Sequence, residues 1–290
     1  MNNLTQKPRI GIYEKALPTQ LSWQERIQNA KSLGFDFIEI SVDETDDRIA
    51  RLDWSEEQIQ QLRSLCEEYE LPIQSMCLSA HRRFPFGSMD ETTRQTAFEI
   101  MEKAIALAYK LGVRTIQLAG YDVYYEEQND QTHQRFIDGL RWATKKAERA
   151  GVMLAVEIMD TPYLNSLSKF EVLKREIPSP YFTAYPDVGN ITGWNHDVCT
   201  ELKLSRDHIV QIHLKDTLKV TEDFPGKFRD LVIGEGQVDF VSIFKTLKAM
   251  EYSAPFVIEM WAQDENWEKN IITAKQRLAD LAEKADFTLF

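Results

Sequence analysis

Short runs rich in β-branched and aromatic residues alternate with longer amphipathic stretches along the whole chain. The runs fall at 9–13, 35–41, 73–79, 114–119, 152–159, 181–187, 209–215 and 255–261. Helical patterns lie between and after them, near 22–33, 55–69, 90–110, 131–149, 167–176, 195–204, 239–249 and 265–284. Eight strands alternating with eight helices predict a parallel sheet built from βα units. Leu33-Gly34-Phe35, Leu111-Gly112-Val113 and Ala150-Gly151-Val152 repeat one signal, a glycine where a helix ends and the next strand opens.

No linker, low-complexity stretch or composition break divides the chain, so the pattern predicts one (β/α)8 barrel over residues 1–290, as a single domain. A doubly wound open sheet has the same alternation. It would call for a G-x-G-x-x-G turn after the first strand, and none follows.

Alternate residues of a strand face opposite sides, and in a closed barrel one of those sides is the interior. In the fifth run Val152, Leu154, Val156 and Ile158 form the apolar face that belongs under the helices, which turns Met153, Ala155, Glu157 and Met159 inward. The seventh run turns Gln211, His213 and Lys215 inward, and the eighth Val257, Glu259 and Trp261. Asp187 closes the sixth on the face of Thr183 and Tyr185. Glu39 with Ser41, Ser75 with Cys77 and Ser79, and Thr115 with Gln117 take the same side in the earlier runs. Given one of Glu157, Asp187, His213 and Glu259, the chance that the other three share its face is about one in eight. All four sit toward the C-terminal strand ends, where barrel active sites are built. Three carboxylates packed there repel one another, and a divalent cation resolves the conflict. Three carboxylates and an imidazole suit one Zn, Mn, Mg or Co ion, with positions left for substrate oxygens.

Composition narrows the function classes. Thirty-four Lys and Arg against 46 Asp and Glu leave a formal charge of -12, the wrong sign for a nucleic-acid binder, and no basic run offsets it. The longest apolar runs fall far short of a membrane span, and the N-terminus, MNNLTQKPR, has no signal core. A cytoplasmic protein with no membrane partner is predicted. Cys66, Cys77 and Cys199 form neither a disulfide framework nor a zinc knuckle, and read as reduced thiols. His81, His133, His196, His208 and His213 are the only histidines, so any metal site leans on carboxylates. His208, ahead of the seventh strand, reads as structural.

The segments YEKALP (13–18), GFDFIE (34–39), SAHRRFP (79–85), QLAGYDVYY (117–125), EIMD (157–160), HLKDT (213–217) and IEMW (258–261) make the chain resemble the xylose-isomerase-like TIM barrels. Within them it is most similar to the sugar-phosphate 3-epimerases that act on L-ribulose 5-phosphate and L-xylulose 5-phosphate in L-ascorbate catabolism. The resemblance runs nearly end to end. It implies that Glu157, Asp187, His213 and Glu259 hold the metal, that Glu157 and Glu259 also form the acid/base pair, and that the protein is a homodimer. One position departs from the epimerases of free ketoses. They often carry histidine three residues beyond the metal aspartate, where this chain has Asn190, expected to contact substrate.

Inverting C3 of a 2-ketose requires a Lewis acid beside the carbonyl, a base on one face of C3 and an acid on the other. A sugar phosphate also requires donors away from the metal. The expected substrate contacts are Glu39, Ser79, His81, Arg82, Arg83, Asn190 and Lys215. Asp43, Glu44, Asp46 and Asp47 read as a solvated turn and helix start. Gly234-Glu235-Gly236 reads as the loop before an Asp239-capped helix, and Tyr121, Tyr124 and Tyr125 as a substrate wall or an aromatic loop packed on itself. An aldose–ketose isomerase, a metal-dependent nuclease and a non-catalytic sugar-phosphate sensor are the competing functions.

Overall fold

In a computed structural model of the chain, which describes residues 7–290, eight parallel strands close into a barrel. They are β1 (Ile10–Tyr13), β2 (Phe37–Val42), β3 (Ile73–Leu78), β4 (Thr115–Ala119), β5 (Met153–Glu157), β6 (Phe182–Tyr185), β7 (Ile212–Leu214) and β8 (Phe256–Ile258). Continuous ladders run in the order β6-β5-β4-β3-β2-β1-β8-β7. Isolated bridges at Ala184–Ile209 and Asp187–His213 join β6 to β7. The amide of His213 donates to Pro186 O at 3.0 Å there. A closed ring leaves no place for the doubly wound sheet. Residues 1–6 of the polar N-terminal segment lie outside the described residues. Among the described residues no helix is long and apolar enough to cross a membrane.

The connecting helices are α1 (Trp23–Ser32), α2 (Asp46–Ile49), α3 (Glu56–Glu68), α4 (Glu91–Leu111), α5 (Asp130–Ala150), α6 (Leu167–Glu176), α7 (Val188–Gly193), α8 (Val198–Leu204), α9 (Phe240–Ala249) and α10 (Trp267–Lys284). Their starts are written in local chemistry. Ser22 and Glu25 close a capping box on α1, as do Ser55 and Gln58 on α3. Asp90 and Asp239 cap α4 and α9. Gly112 and Gly151 end α4 and α5 with φ of 75° and 68°, left-handed values that cost other residues strain. Two short helices lie outside the eight helical stretches of the sequence pattern, although a helix start is expected near Asp46 and Asp47. One is α2; the other, α7, is a Gly- and β-branched-rich segment of low helix propensity that starts where Asp187 accepts the Asn190 amide at 2.8 Å.

The outward strand residues, among them Ile12, Ile40, Leu154, Val156, Ile212 and Ile258, are buried in one core with the helices. The barrel interior is packed separately. Phe37 crosses its lower end, and a Cβ on Gly11 would stand 2.2 Å from the Phe37 ring. Above it lie Tyr13, Cys77 and Val257, with Trp261 against them. Regular pairing stops before the ends of the predicted runs, at Leu214 and Ile258 in the last two strands. Lys215 and Glu259 therefore sit where the strands flare at the C-terminal mouth.

Candidate active site

Four strands deliver the acidic cluster. Glu157 is the last residue of β5, Asp187 lies two residues past β6, His213 is in β7 and Glu259 follows β8. One ligand atom from each can be chosen so that all lie within 4.8 Å of one another, and all four residues are buried. The imidazole Nδ1 of His213 is 3.1 Å from Glu157 Oε1, 3.6 Å from Glu259 Oε2 and 3.9 Å from Asp187 Oδ2. Asp187 spends Oδ1 on the α7 cap, while its Oδ2 and Glu259 Oε2 are buried with no well-directed hydrogen bond. The Lys215 ammonium is the cation that meets both, one positive charge among three buried carboxylates. The donor set and the spacing fit a divalent cation.

Neighbouring side chains fix the orientation of the cluster. His213 Nε2 meets Glu39 Oε1 at 2.7 Å. Glu39 Oε2 in turn accepts from Ser75 at 2.7 Å and from the Tyr185 hydroxyl at 2.8 Å. This arrangement turns Nδ1 toward the carboxylates. Gln117 Nε2 donates to Glu157 Oε2. Lys215 Nζ lies 2.8 Å from Asp187 Oδ2 and 3.1 Å from Glu259 Oε2.

Burial and charge drive the two glutamates apart. Burial raises the Glu157 carboxyl above its ordinary value, against the pull of His213 and with repulsion from Glu259. For Glu259 burial also acts upward, but Lys215 and His213 outweigh it and hold the carboxyl down at about 2. Asp187 is pushed up to about 8, chiefly by burial, with Lys215 opposing and both glutamates reinforcing it. Burial opposes the His213 charge, yet Glu259 and Glu39 keep its pKa well above the usual imidazole value.

Above the cluster lies a cleft of about 300 Å³, at the small end of the range for small-molecule sites. Ser79, Arg82, Asn190 and Lys215 line it with Glu157 and Glu259. Three other expected substrate contacts do not. Glu39 is buried beneath His213 as its partner. His81 turns into the core, where Nε2 meets Ala97 O at 3.1 Å and burial lowers its pKa to about 4. Arg83 points outward onto Asp46 at 2.7 Å and over the Phe84 ring.

The cleft also contains residues the strand pattern did not single out for it. Asp43 and Glu44, expected in a solvated turn, line the cleft, and Asp43 holds Lys15 at 2.6 Å. Arg229 reaches in from a long loop, over Trp261 and 3.5 Å from Asp160. The Gly234–Gly236 loop does not line the cleft, and its two glycine amides turn to Asp216. Tyr121, Tyr124 and Tyr125 pack on one another at tilted and edge-on angles, with Arg82 over Tyr124, and lie outside the lining.

Comparison with known proteins agrees with this architecture. The family model for the xylose isomerase-like TIM barrel matches residues 27–281. The chain is 59% identical over 255 residues to an Escherichia coli (strain K12) protein provisionally named L-ribulose-5-phosphate 3-epimerase SgbU, covering 88% of this chain and 89% of that one. It is 49% identical to the L-ribulose-5-phosphate 3-epimerase UlaE of Escherichia fergusonii, covering 98% and 95% of the two chains. Among solved structures, D-psicose 3-epimerase from Clostridium cellulolyticum H10 superposes with a TM-score of 0.79 at 16% identity, over 94% of this chain and 99% of that one. That last likeness is one of fold. The chain belongs to the xylose isomerase-like TIM barrels and, within them, to the isomerase-class enzymes named L-ribulose-5-phosphate 3-epimerase.

Proposed function

We propose that this chain is a divalent-cation-dependent 3-epimerase of a ketopentose phosphate, interconverting L-xylulose 5-phosphate and L-ribulose 5-phosphate. The observation that carries the reading is the pair Glu157 and Glu259. Both are buried, both line the cleft, and they approach His213 Nδ1 from β5 and the end of β8 at 3.1 and 3.6 Å. Inversion at carbon requires proton removal on one face and proton delivery on the other, hence two acid/base groups. Moving hydrogen between C1 and C2, the isomerase alternative, can be done by one group on one face.

Glu157, Asp187, His213 and Glu259 would hold the cation. When bound, it supplies a Lewis acid beside the substrate carbonyl and makes the neighbouring C3–H more acidic. The side chains then divide the proton work. One glutamate takes the C3 proton and the other returns a proton to the opposite face, with the roles exchanging in the reverse direction. Their surroundings differ even without the cation: burial dominates at Glu157, and the charges of Lys215 and His213 dominate at Glu259. Lys215 keeps Glu259 and Asp187 in place. Arg82 and Arg229, whose acidic partners stand at 3.7 and 3.5 Å, are the cleft cations best placed to exchange those partners for a phosphate.

A coupled assay with L-xylulose 5-phosphate tests this. Chelation is expected to abolish turnover and Mn, Co, Mg or Zn to restore it. Glu157→Gln and Glu259→Gln are each expected to lower kcat about 10²–10⁴-fold. Full activity in the chelated protein, or in either variant, would contradict the assignment.

A further inference from the structure

The carboxylate of Asp216, one residue past Lys215, is buried and forms no ion pair among the described residues. Four backbone amides fill it instead. Thr217 N donates to Oδ1 at 2.9 Å and Val238 N at 3.2 Å, while Gly234 N and Gly236 N donate to Oδ2 at 2.7 and 2.8 Å. Converging amides of this kind form a cradle that attracts anions. Here the chain supplies the anion itself. The fit is close, since a Cβ on Gly236 would stand 2.2 Å from Asp216 Oδ1.

The four donors come from both ends of one excursion. Thr217 opens the long loop between β7 and α9, and Gly234 to Val238 close it. Thr217 O also accepts from Gln237 N at 2.9 Å. Between the two ends the loop folds as a short antiparallel pair, Leu218 with Lys227, and then carries Arg229 into the cleft beside Trp261. The Asp216 carboxylate therefore joins both ends of the loop that brings Arg229 to the cleft, alongside the Thr217–Gln237 and Lys219–Gln237 contacts.

We propose that Asp216 is a positioning residue for substrate binding, acting through the loop that holds Arg229 and apart from the proton transfers at C3. The kinetic part of this inference rests on the function proposed above; the tether does not. In Asp216→Ala the amide cradle is emptied and the loop base released, while the cation ligands keep their own contacts. Formate can enter the vacated space and accept the same four amides.

The test compares wild type, Asp216→Ala and Asp216→Asn by trypsin cleavage at the exposed Lys227 and by kinetics with L-xylulose 5-phosphate. Asp216→Ala is expected to be cleaved at least tenfold faster. Its KM is expected to rise at least tenfold, with kcat within threefold of wild type. Formate should reverse both changes, and chloride at equal ionic strength should not. Asp216→Asn, which keeps part of the acceptor set, should fall between the two and carries the comparison should the alanine variant fail to fold. Unchanged cleavage, an unchanged KM in a variant that is cleaved faster, or formate acting no better than chloride would overturn the proposal. A wild-type protein without turnover would defeat the proposed reaction and leave the cleavage and formate results to be read on their own.

Discussion

Glu39 never reaches the cleft, yet it decides which nitrogen of His213 faces the carboxylates. Partners of this kind outside the ligand set typically change metal affinity about 10–100-fold when removed. Glu39→Gln is expected to weaken cation binding by that factor in a chelator-competition titration, and an affinity equal to wild type would contradict its role. The same residue shows where strand parity stops being informative. Parity turned Glu39, Glu157, His213 and Glu259 to one side, but it is silent on depth along the barrel axis. Glu39 stands below His213 and the glutamates stand above, so only the glutamates meet the cleft. His81 and Arg83 lie on a 3-10 turn, Ser79–Arg82, and the residue after it, where no period-2 rule applies. Three neighbours in sequence there take three directions: His81 to the core, Arg82 to the cleft and Arg83 to solvent.

At the scale of elements, the first two strands are fastened by a buried cluster with no periodic signature. Glu14, fully buried, meets Arg26 at 2.9 Å, Arg48 at 2.9 Å and Arg51 at 2.6 Å, and accepts the Ser41 amide at 2.8 Å. The arginines come from α1, from α2 and from the turn after α2, so the cluster ties these segments to the mouth end of β1 and β2. Arg48 also lies 3.6 Å from Asp43, which holds Lys15 at the cleft. Removing one member of a buried ion pair strands its partners, at a cost of about 3–5 kcal/mol. Glu14→Gln is expected to lose stability on that scale in urea unfolding.

The pH dependence of this cluster has a definite sign. Burial pushes the Glu14 carboxyl upward, but Arg51, Arg48 and Arg26 outweigh it and hold it below the ordinary 4.5. Its stabilisation is therefore complete above pH 4.5 and is lost as pH falls through the lower folded value. Wild type should show a steeper loss of stability below pH 4.5 than Glu14→Gln, and equal slopes would remove the pairing from the account. The eight main strands and most helices were legible because burial imposes periods of 2 and 3.6 on them. The short helix α7 was not, and of α2 only the start was. They begin at local side-chain and ion-pair contacts, which pairwise geometry shows and hydropathy does not.

For the molecule as a whole, the charge of -12 takes on a different meaning once the acids are located. Three of them converge with His213 in one buried cluster that could hold a divalent cation. Binding there belongs to the folded state, so a cation at 100 times its Kd should add about 2.7 kcal/mol of stability. Chelation is expected to lower Tm and readdition to restore it, and a Tm indifferent to both would argue against the site. Barrel closure, the C-terminal mouth and the convergence of Glu157, Asp187, His213 and Glu259 were all readable from strand faces. The substrate end of the cleft was not, because Arg229 and Asp43 arrive from loops whose paths depend on tertiary contacts such as the Asp216 tether.

The most direct test of the central claim is NMR of the cation-loaded protein turning over L-xylulose 5-phosphate in deuterium oxide. Proton exchange by two opposed glutamates predicts L-ribulose 5-phosphate carrying deuterium at C3, with C1 unlabelled. Deuterium at C1, or product formed with its original hydrogen retained at C3, would contradict it.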